Sequence, residues 1–229
     1  MVAESNPLLE ICVDNYEDAL IAIDNGADRI ETCSRLDQDG LTPTVGLVSQ
    51  IASYSDIPQR IMIRPRPGNF CYDMHEVLEM VAQIEQFREL DVQGFVFGCL
   101  DVFDDIDESA LSLITEACEG YRMTFHRAFD LLNNQQAALG ILIEHGIDTV
   151  LTSGGAGSAI NNLVQLKKLH ELSSDEIAIL IGGGVALDNA EGLLRHTGGT
   201  HLHASLKVDG KKESPEQKVQ GLQSFIGNY

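Results

Sequence analysis

The chain is predicted to fold as a TIM-type (β/α)8 barrel, a single domain over residues 1–229 with its core at about 8–205. Three observations predict it. The 229 residues suit one compact barrel. Short apolar runs bounded by turn residues alternate with stretches of helical periodicity. Residues able to do chemistry gather where these runs end. Strict alternation requires right-handed βαβ units on a parallel sheet, and eight units close into a barrel. The rival architecture is an open doubly wound sheet, which has fewer strands.

The expected strands are 8–13, 28–33, 60–64, 93–98, 121–126, 147–151, 177–181 and 200–204. Each is short, rich in Ile, Val and Phe, and suited to burial on both faces. The expected helices are 15–25, 44–55, 73–90, 107–119, 133–145, 158–172, 186–196 and 214–226. The first places Ala19, Ala22 and Ile23 on one face and ends at Gly26, a natural residue after a helix. The second follows Pro43. The third opens with Asp73 and Glu76 at capping-box spacing. The polar segment after Val208 reads as a loop before the last helix.

Composition narrows the function. No apolar run approaches the ~20 residues that span a bilayer, and the first residues carry no leader pattern, so a cytoplasmic protein is expected. The net charge of −20 disfavours nucleic acid and anionic membranes as partners. Five cysteines (Cys12, Cys33, Cys71, Cys99 and Cys118) in a reducing compartment argue against a disulfide framework. All six lysines lie at or after Lys167. A Schiff-base lysine on an inner strand is therefore disfavoured.

In a barrel the chemistry sits at the C-terminal ends of the strands. Glu10 and Cys12 end the first strand, and Glu31 and Cys33 the second. Arg64 and Arg66 end the third, and Asp101 follows the fourth. His126, Arg127 and Asp130 end the fifth, Thr152 and Ser153 the sixth, Gly182–Gly184 the seventh, and His203 and Ser205 the eighth. Side chains two apart share a face, so Glu-x-Cys recurs on adjacent strands. Two thiols and two carboxylates then line one wall, with Arg64 and His126 as the expected partners of the glutamates. Paired thiolates suit Cu(I), or zinc with further ligands; buried cysteines also serve as plain core residues. His126 is the leading acid–base candidate, ahead of His201 and His203, with Asp130 nearby. The loops TSGGAGS (152–158) and GGGVALDN (182–189) follow strands and open helices. Their backbone N–H groups suit an anion, which selects Ser153, Gly154, Gly155, Gly183 and Gly184. Tight turns without a ligand are the plainer account.

The segments LEICVDN, NGADRIETC, GLTP, IRPRPGNFCY, TFHRAFD and VLTSGG resemble the CutC family from about Leu8 to Ser205. The resemblance implies a (β/α)8 barrel, a cytoplasmic setting, a homo-oligomer (dimer or tetramer) and a role in copper homeostasis. It maps the proposed Cu(I) ligands onto Cys12 and Cys33, and the family's charged strand-end set onto Glu10, Glu31, Arg64, His126 and Asp130. An alternative is a barrel enzyme of lyase, isomerase or hydrolase type acting on a small anionic or phosphorylated substrate. There His126 and the glutamates move protons, Arg64 positions the substrate and the glycine loops hold the anion.

Overall fold

A computed structural model describes residues 7–173, 176–207 and 214–227. Eight strands run β1 (Leu8–Val13), β2 (Arg29–Thr32), β3 (Gln59–Met62), β4 (Gly94–Phe97), β5 (Arg122–Phe125), β6 (Thr149–Thr152), β7 (Ala178–Ile181) and β8 (His201–Ser205). They close into a barrel in chain order, with all eight pairings parallel. The helices are α1 (Tyr16–Asp24), α2 (Val45–Ala52), α3 (Met74–Phe87), α4 (Glu108–Ala117), α5 (Gln135–Glu144), α6 (Leu163–Ser173), α7 (Ala190–Thr197) and α8 (Pro215–Ile226). No helix among the described residues is long and apolar enough to cross a membrane.

Local sequence explains most boundaries. Asp73 and Glu76 form the expected capping box at α3, and Ser214 with Gln217 forms a second one at α8. Gly26, at φ 100°, follows α1 in the left-handed region that only glycine enters cheaply. Two helices start later than the periodicity suggests. After β6 the chain makes a one-turn 3-10 helix (Ala159–Asn161) before α6 begins at Leu163. After β7, the Asn189 side chain accepts from Ala186 N (3.0 Å) and donates to the Gly184 carbonyl (2.8 Å), holding residues 184–189 as a turn until α7 begins. The glycine loops therefore lead into turns rather than directly into helices. The expected loop after Val208 lies outside the described residues over 208–213.

The strands are buried on both faces. Outward-facing Ile11, Ile30, Ile61, Phe95, Phe125, Val150, Ile179 and Leu202 pack under Val48, Ile51, Ile84, Leu111, Leu142, Leu166, Leu193 and Leu222 of the helices. Burying such side chains contributes roughly 1.5–3 kcal/mol each. The lumen is different in kind. Arg60 crosses it from β3 to reach Thr149 Oγ1 (3.0 Å), Asp148 Oδ1 (2.7 Å) and Thr124 Oγ1. Asp148 also accepts from Met123 N at 2.5 Å and Thr149 Oγ1 at 2.8 Å. This charged floor is fully buried and hydrogen-bonded.

Candidate functional site

Strand register builds the site. Glu10 of β1 sits beside Arg29 on one neighbour and His203 on the other, and Cys12 beside Glu31 and Ser205. The partners of Glu10 are therefore its lateral neighbours: Arg29 Nε at 2.5 Å and His203 Nδ1 at 2.7 Å. They are not the Arg64 and His126 expected from the sequence. Burial pushes the Glu10 pKa up, but Arg29 and the His203 hydrogen bond outweigh it and hold the carboxyl well below the usual range.

His203 is the centre of the arrangement. Glu10 takes Nδ1, and the Cys12 thiol lies close to the ring. The Cys12 sulfur, a His203 ring nitrogen and a Glu31 carboxylate oxygen lie within 4.8 Å of one another. Among the described residues this is the one such group of potential metal ligands. Burial lowers the His203 pKa, yet Cys12, the Glu31 charge and the Glu10 hydrogen bond raise it well above its ordinary value. Glu31 is raised to about 7, by burial first and by Glu10, with His203, Arg29 and Arg60 opposing. Its Oε2 is buried without a hydrogen-bond partner among the described residues.

Other sequence candidates take different places. Cys33 is fully buried among Met62 and Val96, and its sulfur donates to the Val13 carbonyl at 3.4 Å. Burial and the Glu31 charge push that thiol's pKa up. It lies outside the Cys12–Glu31–His203 group. Arg64 donates to the carbonyls of Gln38 (3.0 Å), Asp39 (3.3 Å), Gly40 (3.1 Å) and Gly68 (3.0 Å), tying two loops to the rim. Asp130 turns away from His126 toward the end of β6. There it accepts from Ser153 N (3.0 Å), Ser153 Oγ (2.7 Å) and Thr152 Oγ1, and it pairs with Arg127 Nε at 2.9 Å.

These groups border one cavity of about 690 Å³ at the C-terminal mouth. Cys12, Glu31 and His203 line one side, and His126, Arg127 and Asp130 another. Gly155, Gly183 and Gly184 also line it; Ser153 and Gly154 are buried behind. At Gly183 (φ 91°) an added Cβ would stand 2.8 Å from the Ser153 Cβ, so the two glycine loops meet where no side chain fits. Four of the chain's fifteen Lys and Arg residues, namely Arg64, Arg127, Lys207 and Lys218, face this cavity. The sequence signal for His203 was its place at the end of a strand. What raised it above His126 was its pairing with Glu10, 193 residues away, which register alone reveals.

Fold and site together define a (β/α)8 barrel with a buried thiol–imidazole–carboxylate group at the C-terminal mouth of its strands. The CutC family model matches residues 7–208, and the chain belongs to the CutC family. A CutC family protein of Pasteurella multocida is 40% identical over 207 residues, covering 90% of this chain and 85% of the relative. The human protein named copper homeostasis protein cutC homolog is 38% identical, covering 87% and 73%. The solved CutC structure from Streptococcus agalactiae superposes with a TM-score of 0.83 at 30% identity, covering 86% of this chain and 98% of that one. A thiamine phosphate pyrophosphorylase from Pyrococcus furiosus shares the fold alone, with a TM-score of 0.66 at 16% identity over 96% of each chain.

Proposed function

We propose that this protein binds cuprous copper in the cytoplasm through Cys12 and His203, with Glu31 beside them. The observation that carries the reading is the convergence of three donor atoms from β1, β2 and β8 within 4.8 Å. The donor set fits the ion. A thiolate and an imidazole are ligands Cu(I) accepts, and the thiolate selects for it over harder cations. Glu10 supplies the outer partner that a metal-bound histidine needs: by taking Nδ1 it leaves Nε2 for the ion. The unpartnered Glu31 Oε2 gives the ion a counter-charge. Cys33, the second cysteine of the sequence pair, is proposed as a neighbour that supports β2, because ligation would break its bond to Val13 and ionise a deeply buried thiol.

Competition of the reduced protein against a Cu(I) chelator under anaerobic conditions tests this. Cys12→Ser and His203→Gln should abolish measurable competition. Glu10→Gln should weaken it roughly 10- to 100-fold through the histidine. Cys33→Ser should leave it unchanged. Retention of wild-type affinity by Cys12→Ser would end the copper reading.

A second reading is favoured by the cavity itself. A volume of about 690 Å³ far exceeds what one ion fills, and four cationic side chains border it in a chain of net charge −20. We propose that it also receives a small anionic molecule, as an enzyme of this fold would. For the assembly we propose a homo-oligomer (dimer or tetramer). Val102 and Phe103, 77% and 73% exposed, stand beside the Leu131 loop, to which the Asn133–Phe103 hydrogen bond ties them. Light scattering decides between that and a monomer.

A further inference from the structure

His126 is not used by the copper site, and its surroundings are unusual. It caps the 3-10 turn Arg127–Leu131, and its Nδ1 accepts from Ala128 N at 3.2 Å. With Nδ1 an acceptor on an uncharged ring, the proton sits on Nε2. The side chain is 4% exposed and borders the cavity, and Nε2 has no partner among the described residues. Such an N–H, buried and unsatisfied, is costly to the fold unless something accepts from it. The ring has no freedom to turn elsewhere. Phe70 packs against it with centroids 4.7 Å apart. On the far side Gly98 is so close that an added Cβ would come within 2.5 Å of Nδ1 and Cε1. Burial and the Arg64 charge also lower its pKa to about 3, so it stays uncharged in the neutral range.

The same cavity has its solvent-exposed positive charge at the rim. Arg127 spends Nε on Asp130 and Nη2 on Ser153 and Gly157, while Nη1 has no partner among the described residues. Lys207, after β8, is exposed and also lines the cavity. Arg64, nearest to His126 through Phe70, gives Nη1 and Nη2 to loop carbonyls, and its buried Nε has no partner among the described residues. Arg64 is buried whereas Arg127 and Lys207 reach solvent, so a charged oxygen is held with the least desolvation at the rim. The aromatic recess of His126 suits a neutral acceptor, and a neutral imidazole polarises a carbonyl well.

Resting on the anionic-ligand reading above, we infer that the cavity takes a small carbonyl compound bearing a phosphate or a carboxylate. Its carbonyl oxygen accepts from His126 Nε2, and its anionic end is held by Arg127 and Lys207.

Calorimetric titration of the reduced, metal-free protein tests this with two matched pairs: dihydroxyacetone phosphate against glycerol 3-phosphate, and pyruvate against lactate. Each pair differs only in carbonyl versus alcohol, and the pairs separate phosphate from carboxylate. In at least one pair the ketone should bind about tenfold tighter. His126→Asn, whose side chain can still cap the turn, should erase that ratio. Lys207→Gln should weaken both members alike and keep the ratio. Equal binding of ketone and alcohol, or equal weakening of both by His126→Asn, would overturn the carbonyl assignment while leaving the anion reading intact. Binding of none of the four would overturn both. Should His126→Asn not fold, the ratio in wild type and Lys207→Gln decides.

Discussion

The floor of the barrel lumen and its mouth are both lined with buried charge, and they treat it oppositely. On the floor, Arg60 meets Asp148, Thr124 and Thr149, and Asp148 is further held by the Met123 amide. At the mouth, Glu31 Oε2 and His126 Nε2 are buried without a hydrogen-bond partner among the described residues. A polar network that satisfies itself specifies and holds a fold. Buried polar atoms left unsatisfied point to something that arrives from outside. Glu10 marks the border: paired downward to Arg29, it also orients His203 in the mouth.

The contrast can be broken from either side. The largest effect is expected on the floor. Arg60→Met would leave Asp148 charged and buried without its counter-charge, a loss of about 3–5 kcal/mol in urea-induced unfolding. A loss under 1 kcal/mol would mean that the floor does not depend on its ion pair.

Glu31→Gln should act in the other direction. In the folded chain Glu31 titrates at about 7, above its ordinary value of 4.5, because burial and Glu10 disfavour its charge. The native state thus holds this proton more tightly than the unfolded one. Wild-type stability is unreduced below about pH 4.5 and falls as pH rises through 7. The slope approaches about 1.4 kcal/mol per pH unit between those limits. Glu31→Gln removes that slope, so metal-free variant and wild type should be similar near pH 4.5 and the variant more stable at pH 8. Parallel stability curves across that range would show that Glu31 carries no such strain.

The smallest effect is expected beside His126. Gly98→Ala forces a methyl to within 2.5 Å of the imidazole and 2.9 Å of the Ala128 Cβ. Overpacking of this kind costs about 1–3 kcal/mol. A chemical shift change at the His126 ring should accompany the loss; an unchanged ring signal would mean the slot is looser than its geometry.

The sequence makes the floor and the mouth equally hard to tell apart, although the barrel itself is legible in it. Strand β1 coincides with the expected 8–13, and the other seven fall within about two residues of theirs at most ends, because buried parallel strands are uninterrupted apolar runs. The capping boxes and the Pro and Gly stops fix most helices for the same local reason. Legibility fails where contacts cross strands. Strand ends identify Glu10, Cys12, Glu31, His126 and His203 as facing chemistry, but periodicity treats Cys33 as equivalent to Cys12. In the fold Cys33 bonds Val13 and packs on Met62, whereas Cys12 meets His203. Asp130 and Arg64 likewise read as reactive, yet they serve as ties between loops.

In the proposed copper site Cys12 of β1 is joined by His203 of β8 and not by Cys33. X-ray absorption at the copper edge of the anaerobic Cu(I)-loaded protein tests it most directly. One sulfur together with nitrogen or oxygen neighbours, unchanged in Cys33→Ser, is the expected result. Two sulfurs in the wild type, reduced to one by Cys33→Ser, would contradict it.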